Sequence, residues 1–306
     1  MSSPATVKHL LKFAAMMLAA AALTHIAWSS IMAAMMFWGY PHRIFDVRRW
    51  YETKDYEALV GAFLETRQAE TVFAGSSFTF GYPWQEEVIF SRLFGKGVNA
   101  SVIGANLAGI DRLILCNLHR HSVQTLILEI PVINSVGGAG FIGPCTSDRV
   151  SSYFSFAFLR PIGTGWFRFL WDNEAYPKPD EAIKISPVPK GYFLGDYDRR
   201  GFEESVVKVV SHAKSVAARV FVLPSPVYLP GVAQVGENAI AVRDQLETAV
   251  SACRRVSGVT CLDPSHFYEN PRYFLNMTHL NQAGHRAMGE WLQSLIIGTQ
   301  RGNESR

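Results

Sequence analysis

The hydrophobic positions of this chain fall into two regimes. From Phe13 to Trp38 the sequence reads FAAMMLAAAALTHIAWSSIMAAMMFW without one Asp, Glu, Lys or Arg. Such a run is long enough to cross a bilayer core of about 30 Å as a helix. Its one ionisable residue is His25, which can stay neutral in lipid, and Trp28, Phe37 and Trp38 suit a membrane interface. A cleaved signal peptide would have a shorter apolar core followed by small residues, for which Ala19–Ala21 would serve, but cleavage there would leave an apolar stump. The segment is therefore expected to be kept as a single-pass anchor. Lys8 and Lys12 before it are matched by Arg43, Arg48 and Arg49 after it, so the basic flanks do not decide its orientation.

Past the anchor, short apolar runs alternate with helical periodicity. Strands are predicted at Thr71–Ala74, Val98–Ile103, Leu126–Ile130 (closed by Pro131), Arg219–Leu223 and Val259–Leu262. Helices are predicted at Leu107–Leu118, Phe202–Val216, Glu237–Arg255 and Ala283–Ile296. Strands separated by helices imply a five-stranded parallel sheet covered on both faces, a three-layer α/β/α sandwich. In such sheets the functional site lies at the carboxyl ends of the strands. From Val136 to about Asp198 the pattern breaks into Gly, Pro and aromatic residues, including Gly165–Trp171. That stretch far exceeds ordinary connections of about 2–6 residues and reads as a functional insertion or lid. The expected organisation is a cytoplasmic terminus over 1–12, an anchor over 13–38, a neck over 39–69, one α/β domain over 70–298 with the insertion at about 136–198, and a tail over 299–306.

Composition narrows the function classes. A hydrophobic share of 48% against 18% charged residues fits a folded domain rather than a disordered one. The net charge of +3 comes without basic blocks interleaved with aromatics, so no nucleic-acid partner is indicated. The cysteines, Cys116, Cys145, Cys253 and Cys261, form no C-x-x-C pair, which argues against structural zinc. Cys253 and Cys261 sit at a predicted helix end and strand start, where a disulfide or two buried thiols are both open. His119 and His121 lack a carboxylate or cysteine beside them and read as a solvated helix end; His266 and His285 read as surface or helix-capping residues. No metal or cofactor is expected.

Two stretches carry chemistry. Ala74–Gly81 reads AGSSFTFG in the turn after the first strand. A serine there exposes its hydroxyl above the sheet, and the N–H groups of a following helix can hold an oxyanion. Serine in such a turn also serves as a helix cap. Near the other end, Tyr273–His285 reads YFLNMTHLNQAGH just before the last predicted helix. His279 could supply the base that a serine nucleophile needs, with a neighbour fixing its tautomer.

These blocks resemble those of the SGNH (GDSL-type) hydrolases. The early Gly-Asp-Ser-x-x-x-Gly block is similar to Gly75–Gly81, with Ser76 in place of the Asp, which singles out Ser77 as nucleophile. Val98–Ala105 is similar to the second block, implying that Gly104 joins the Ser77 N–H in an oxyanion hole, and Asn134 is the candidate third donor. Asn276-x-x-His279-Leu280-Asn281 with Gly284 is similar to the last block, except that Asn276 stands where the family carries an Asp. Three ways of running such a site stay open: a Ser77–His279 pair helped by Asn276 or a backbone carbonyl, Asp263 swinging in as the acid, or a site used only for binding. The resemblance implies a flavodoxin-like sheet order. Its membrane-anchored members act in alginate acetylation and teichoic-acid D-alanylation, beside a multi-pass membrane-bound O-acyltransferase. By that likeness the chain is expected at a bacterial inner membrane, its catalytic domain periplasmic, O-acylating a cell-surface polysaccharide. A membrane-anchored esterase or lipase, and a non-enzymatic glycan-binding or scaffold subunit, are the alternatives.

Overall fold

Apolar strand segments and amphipathic helices alternate through most of the domain. The computed structural model describes residues 4–37, 70–81, 91, 94, 97–101, 105–114, 118, 123–132, 183–188, 192–193 and 198–304. The neck, most of the expected insertion including Gly165–Trp171, and Cys116, His119, His121 and Cys145 lie outside them. The chain divides into two units, Met1–Trp50 with Thr146–Asn173, and Tyr51–Cys145 with Glu174–Arg306.

In the first unit, helix α1 runs Pro4–Phe37 and carries the uncharged run. Its side chains are described over 8–24 and at 26 and 27, where they are exposed. Among the described residues no helix is long and apolar enough to cross a membrane. The expected anchor extends beyond those side chains, to Trp38.

The second unit is built on five strands: β1 Thr71–Ala74, β2 Gly97–Asn99, β3 Val123–Ile130, β4 Ala217–Pro224 and β5 Thr260–Cys261. They pair in parallel in the order β2-β1-β3-β4-β5, the flavodoxin-like arrangement. The helices are α2 Ser77–Phe80, α3 Leu107–Leu113, α4 Arg199–Val216, α5 Leu229–Gln234, α6 Ala239–Cys253 and α7 Gln282–Glu304. β2 is shorter than expected and begins one residue earlier; β3 and β4 are longer, and β5 is reduced to two residues. α3 is α-helical over Leu107–Leu113, and Ile114 and Leu118, the described residues beyond it within the expected helix, are π-helical.

Register explains the layering. Phe73 pairs with Ile127 and Ile127 with Phe221, so three apolar side chains form one row across β1, β3 and β4. That row meets Met288, Leu292 and Ile296 of α7. The adjoining row, Val72, Leu126 and Val220, points to the other face because strand side chains alternate. There α4, with Val206, Val209, Val210 and Ala213 buried, packs on β3 and β4. Each buried Val, Leu, Ile, Phe or Met side chain among them stabilises the fold by about 1.5–3 kcal/mol relative to leaving it exposed. Helices thus cover both faces, and the strand ends are left to build a site.

At the far edge Cys253, ending α6, is bridged to Cys261 of β5, with Cα atoms 5.9 Å apart. The disulfide therefore replaces the alternative of two separate thiols. His285 corrects another expectation: it is 1% exposed, stacked at 6.5 Å on Phe78, and belongs to the core rather than to a cap or the surface.

Candidate active site

The chain turns sharply where β1 ends. Ser76 caps α2 in an extended conformation, its Oγ accepting from the Phe78 N–H at 3.4 Å, and Ser77 is the first helical residue. Gly81 closes the turn at φ 84°, a left-handed conformation that glycine adopts without strain, and its N–H donates to the Ser77 and Phe78 carbonyls. This turn stands at the carboxyl end of β1 beside β3, the point where strand order reverses and ligands bind in such sheets.

The loop before α7 brings His279 to the same place. Asn281 ties it down: its amide donates to the Arg272 carbonyl at 2.7 Å, while its Oδ1 accepts from Gly284 N–H at 2.9 Å. Gly284 has no room for a side chain, because a Cβ would strike the Tyr273 carbonyl. The Leu-Asn-x-x-Gly part of the motif is thus the mechanical support for the histidine loop.

His279 Nε2 lies 3.1 Å from Ser77 Oγ. On the other side, Nδ1 lies 3.1 Å from Asn276 Oδ1 and 3.1 Å from Thr278 Oγ1. The Asn276 orientation is fixed by its neighbours: the backbone N–H groups of Thr278 and His279 both reach the same atom at 2.9 Å, and only an oxygen can accept them. An oxygen facing Nδ1 places the ring proton on Nδ1 and leaves the Nε2 lone pair for the Ser77 hydroxyl. Burial pulls the His279 imidazole down to about 4, so the ring is neutral at pH 7, the form a general base requires. Tyr192 lines the same cavity as Thr278 and His279, and its burial raises its pKa, so its proton stays in place.

A residue that sequence reasoning missed holds the serine turn from below. Glu129, near the end of β3, is 0% exposed. Its Oε1 accepts from Ser76 Oγ at 2.5 Å and from Ser225 Oγ, after β4, at 2.5 Å. Its Oε2 accepts from Ser76 N–H at 2.8 Å, Thr79 N–H at 3.1 Å and Thr79 Oγ1 at 2.5 Å. Gly75 is required by this carboxylate, since a Cβ there would collide with Glu129 and with Thr79 Oγ1. The available signal was a lone acid in an otherwise apolar run, TLILEIP: buried parallel strands read as near-continuous hydrophobics, so an acid inside one demands partners.

The structure therefore brings Ser77, His279 and Asn276 together. Gly104 and Asn134, the other expected oxyanion donors, lie outside the described residues. Asp263 is not drawn to the imidazole; it is exposed and accepts from Ser265 N–H at 3.0 Å, leaving Nδ1 to Asn276 and Thr278. Beside His279 a cavity of about 330 Å³ is lined by Lys184, Ser186, Tyr192, Met277 and Thr278 among others. Among the described residues no group of three or more His, Cys, Asp or Glu could hold a metal ion.

No family model and no curated protein matches the chain. Among solved structures it is similar to a protein from Streptococcus pneumonia named provisionally as a platelet activating factor, at 13% identity and a TM-score of 0.45, covering 82% of this chain and 95% of that one. It is also similar to an alpha/beta hydrolase enzyme from the metagenome of Lake Arreo, Spain, at 11% identity and a TM-score of 0.40, covering 72% of this chain and 91% of that one. Likeness at that level carries no argument about chemistry, which rests on the site itself.

Proposed function

We propose that the chain is a serine acyl-transfer enzyme. The observation that carries this reading is the 3.1 Å contact between His279 Nε2 and Ser77 Oγ, with Nδ1 held by Asn276. Ser77 Oγ attacks the carbonyl carbon of an acyl donor while its proton passes to Nε2. Collapse of the tetrahedral intermediate expels the donor's leaving group, which takes that proton and leaves the acyl group on Oγ. An acceptor hydroxyl then gives its proton to Nε2, attacks the acyl carbon and breaks the bond to Oγ, and the proton returns to Ser77. The Ser77 N–H lies at the start of α2, where an oxyanion is favoured. With water as acceptor the same steps make the chain an esterase.

The finer reading is transfer of an acyl group, acetyl being the expected one, to a polysaccharide hydroxyl on the periplasmic face of a bacterial inner membrane. The uncharged run within α1 supports an anchor, and the Cys253–Cys261 bridge supports an oxidising compartment. A multi-pass membrane-bound O-acyltransferase would supply the acyl group. The test is acyl release by mild base from the surface polysaccharide of cells carrying wild type or Ser77→Ala. Loss of bound acyl groups in the variant is expected. An unchanged polysaccharide, with small esters still hydrolysed by the wild type, would assign an esterase instead.

A further inference from the structure

We infer that Glu129 is a positioning residue for the nucleophile, selecting which amide of the turn is presented to the oxyanion. The inference rests on the reading of Ser77 as nucleophile. The amides from Ser76 to Thr79 have different fates. Those of Ser76 and Thr79 donate to Glu129 Oε2, and that of Phe78 donates to Ser76 Oγ. Among the described residues, the Ser77 N–H alone of the four takes no partner. Glu129 thus engages the turn on either side of Ser77 and leaves the nucleophile's own amide uncommitted.

The same contacts fix the turn in space. Ser76 Oγ and Thr79 Oγ1 flank Ser77 in sequence, and both donate to one carboxylate. That carboxylate is itself held by Ser225 beyond β4, whose N–H also donates to the Ile130 carbonyl at 3.0 Å. Three strand ends are therefore pinned through one buried group. A site must hold reacting atoms within about 0.5 Å of the productive geometry, and a network with every member satisfied supplies that rigidity. An acid at the second position of the family's serine block is missing here, and Ser76 stands in its place. The negative group reaches this turn from β3 instead.

The experiment uses the full chain in detergent and an alkyl fluorophosphonate, which Ser77 Oγ attacks at phosphorus with loss of fluoride. The maximal rate of labelling and the probe concentration at half that rate are measured separately, alongside the melting temperature. Glu129→Gln keeps the shape but sets an NH₂ donor against donors. It should lower the maximal rate by about 10- to 100-fold, less than the roughly 10²- to 10³-fold that outright removal of an oxyanion donor costs, while leaving the half-saturating concentration within about two-fold. A merely stabilising carboxylate would lower the melting temperature and leave the maximal rate of the folded protein unchanged, which would overturn the inference. If Glu129→Gln does not fold, Thr79→Val, which removes one turn hydroxyl from the carboxylate, should show the same split, and an unchanged rate there would overturn it equally. Failure of the wild type to label at Ser77 would instead remove the nucleophile reading beneath it.

Discussion

His279 Nδ1 meets the side-chain oxygen of Asn276 at 3.1 Å, where a Ser-His-Asp triad sets a carboxylate. Asn276 gives the imidazole the correct orientation, because its Oδ1 also accepts the backbone N–H groups of Thr278 and His279. It gives no negative charge to the imidazolium that forms when Ser77 is deprotonated. Orientation and charge, which one aspartate usually supplies together, are separated in this site.

That separation makes Asn276→Asp informative. In a serine protease the reverse change costs about 10⁴ in turnover, largely through the wrong tautomer. Here the tautomer is already correct, so only the charge is added. A neighbouring carboxylate raises a histidine pKa and stabilises its cation. Labelling of Ser77 by a fluorophosphonate should accelerate by about 10-fold, the effect of roughly 1.4 kcal/mol. A slower rate in a variant that still folds would show that Asn276 does more than orient the ring.

The pH profile should follow the low His279 pKa. Labelling should hold steady from neutral pH downward and decline only as pH approaches about 4, since protonation of Nε2 removes the base. Stability follows the same linkage. The unfolded imidazole titrates near 6.5 and the folded one near 4, so the unfolded chain binds the proton first and stability falls as pH drops through that window. Asn276→Asp should move the inflection upward. A wild-type labelling midpoint at 6.5 would contradict the half-buried, neutral imidazole.

Much of this architecture is legible in the sequence because parallel sheets bury apolar runs that stand out against amphipathic helices. Leu126–Ile130 and Arg219–Leu223 both lie within observed strands, and the last helix carries Met288 and Leu292 inward. Boundaries shift where pairing, not composition, decides them: β2 stops at Asn99, whose amide turns away to the Thr79 carbonyl at 2.8 Å. Ser77 and His279 are legible because each lies in a short motif next to an element boundary. Glu129 is not, since its partners stand 50 to 96 positions away and only the folded sheet gathers them. Thr278 escapes for the same reason, as its contact with Nδ1 exists only around the imidazole. His285 misleads because a histidine in a helix gives no sign of the aromatic surface it meets.

The central claim is that Ser77 forms the covalent bond with His279 as its base. It is tested most directly by intact-mass and peptide-level mass spectrometry after fluorophosphonate treatment of wild type, Ser77→Ala and His279→Ala. One adduct per chain, mapped to Ser77, is expected for the wild type and none for Ser77→Ala. His279→Ala should label more slowly by at least about 10³-fold, because members of one catalytic unit fail together. Both variants should melt close to the wild type, since a half-exposed turn serine contributes little packing. An adduct on another residue, or a Ser77→Ala chain that labels as fast as the wild type, would contradict the account.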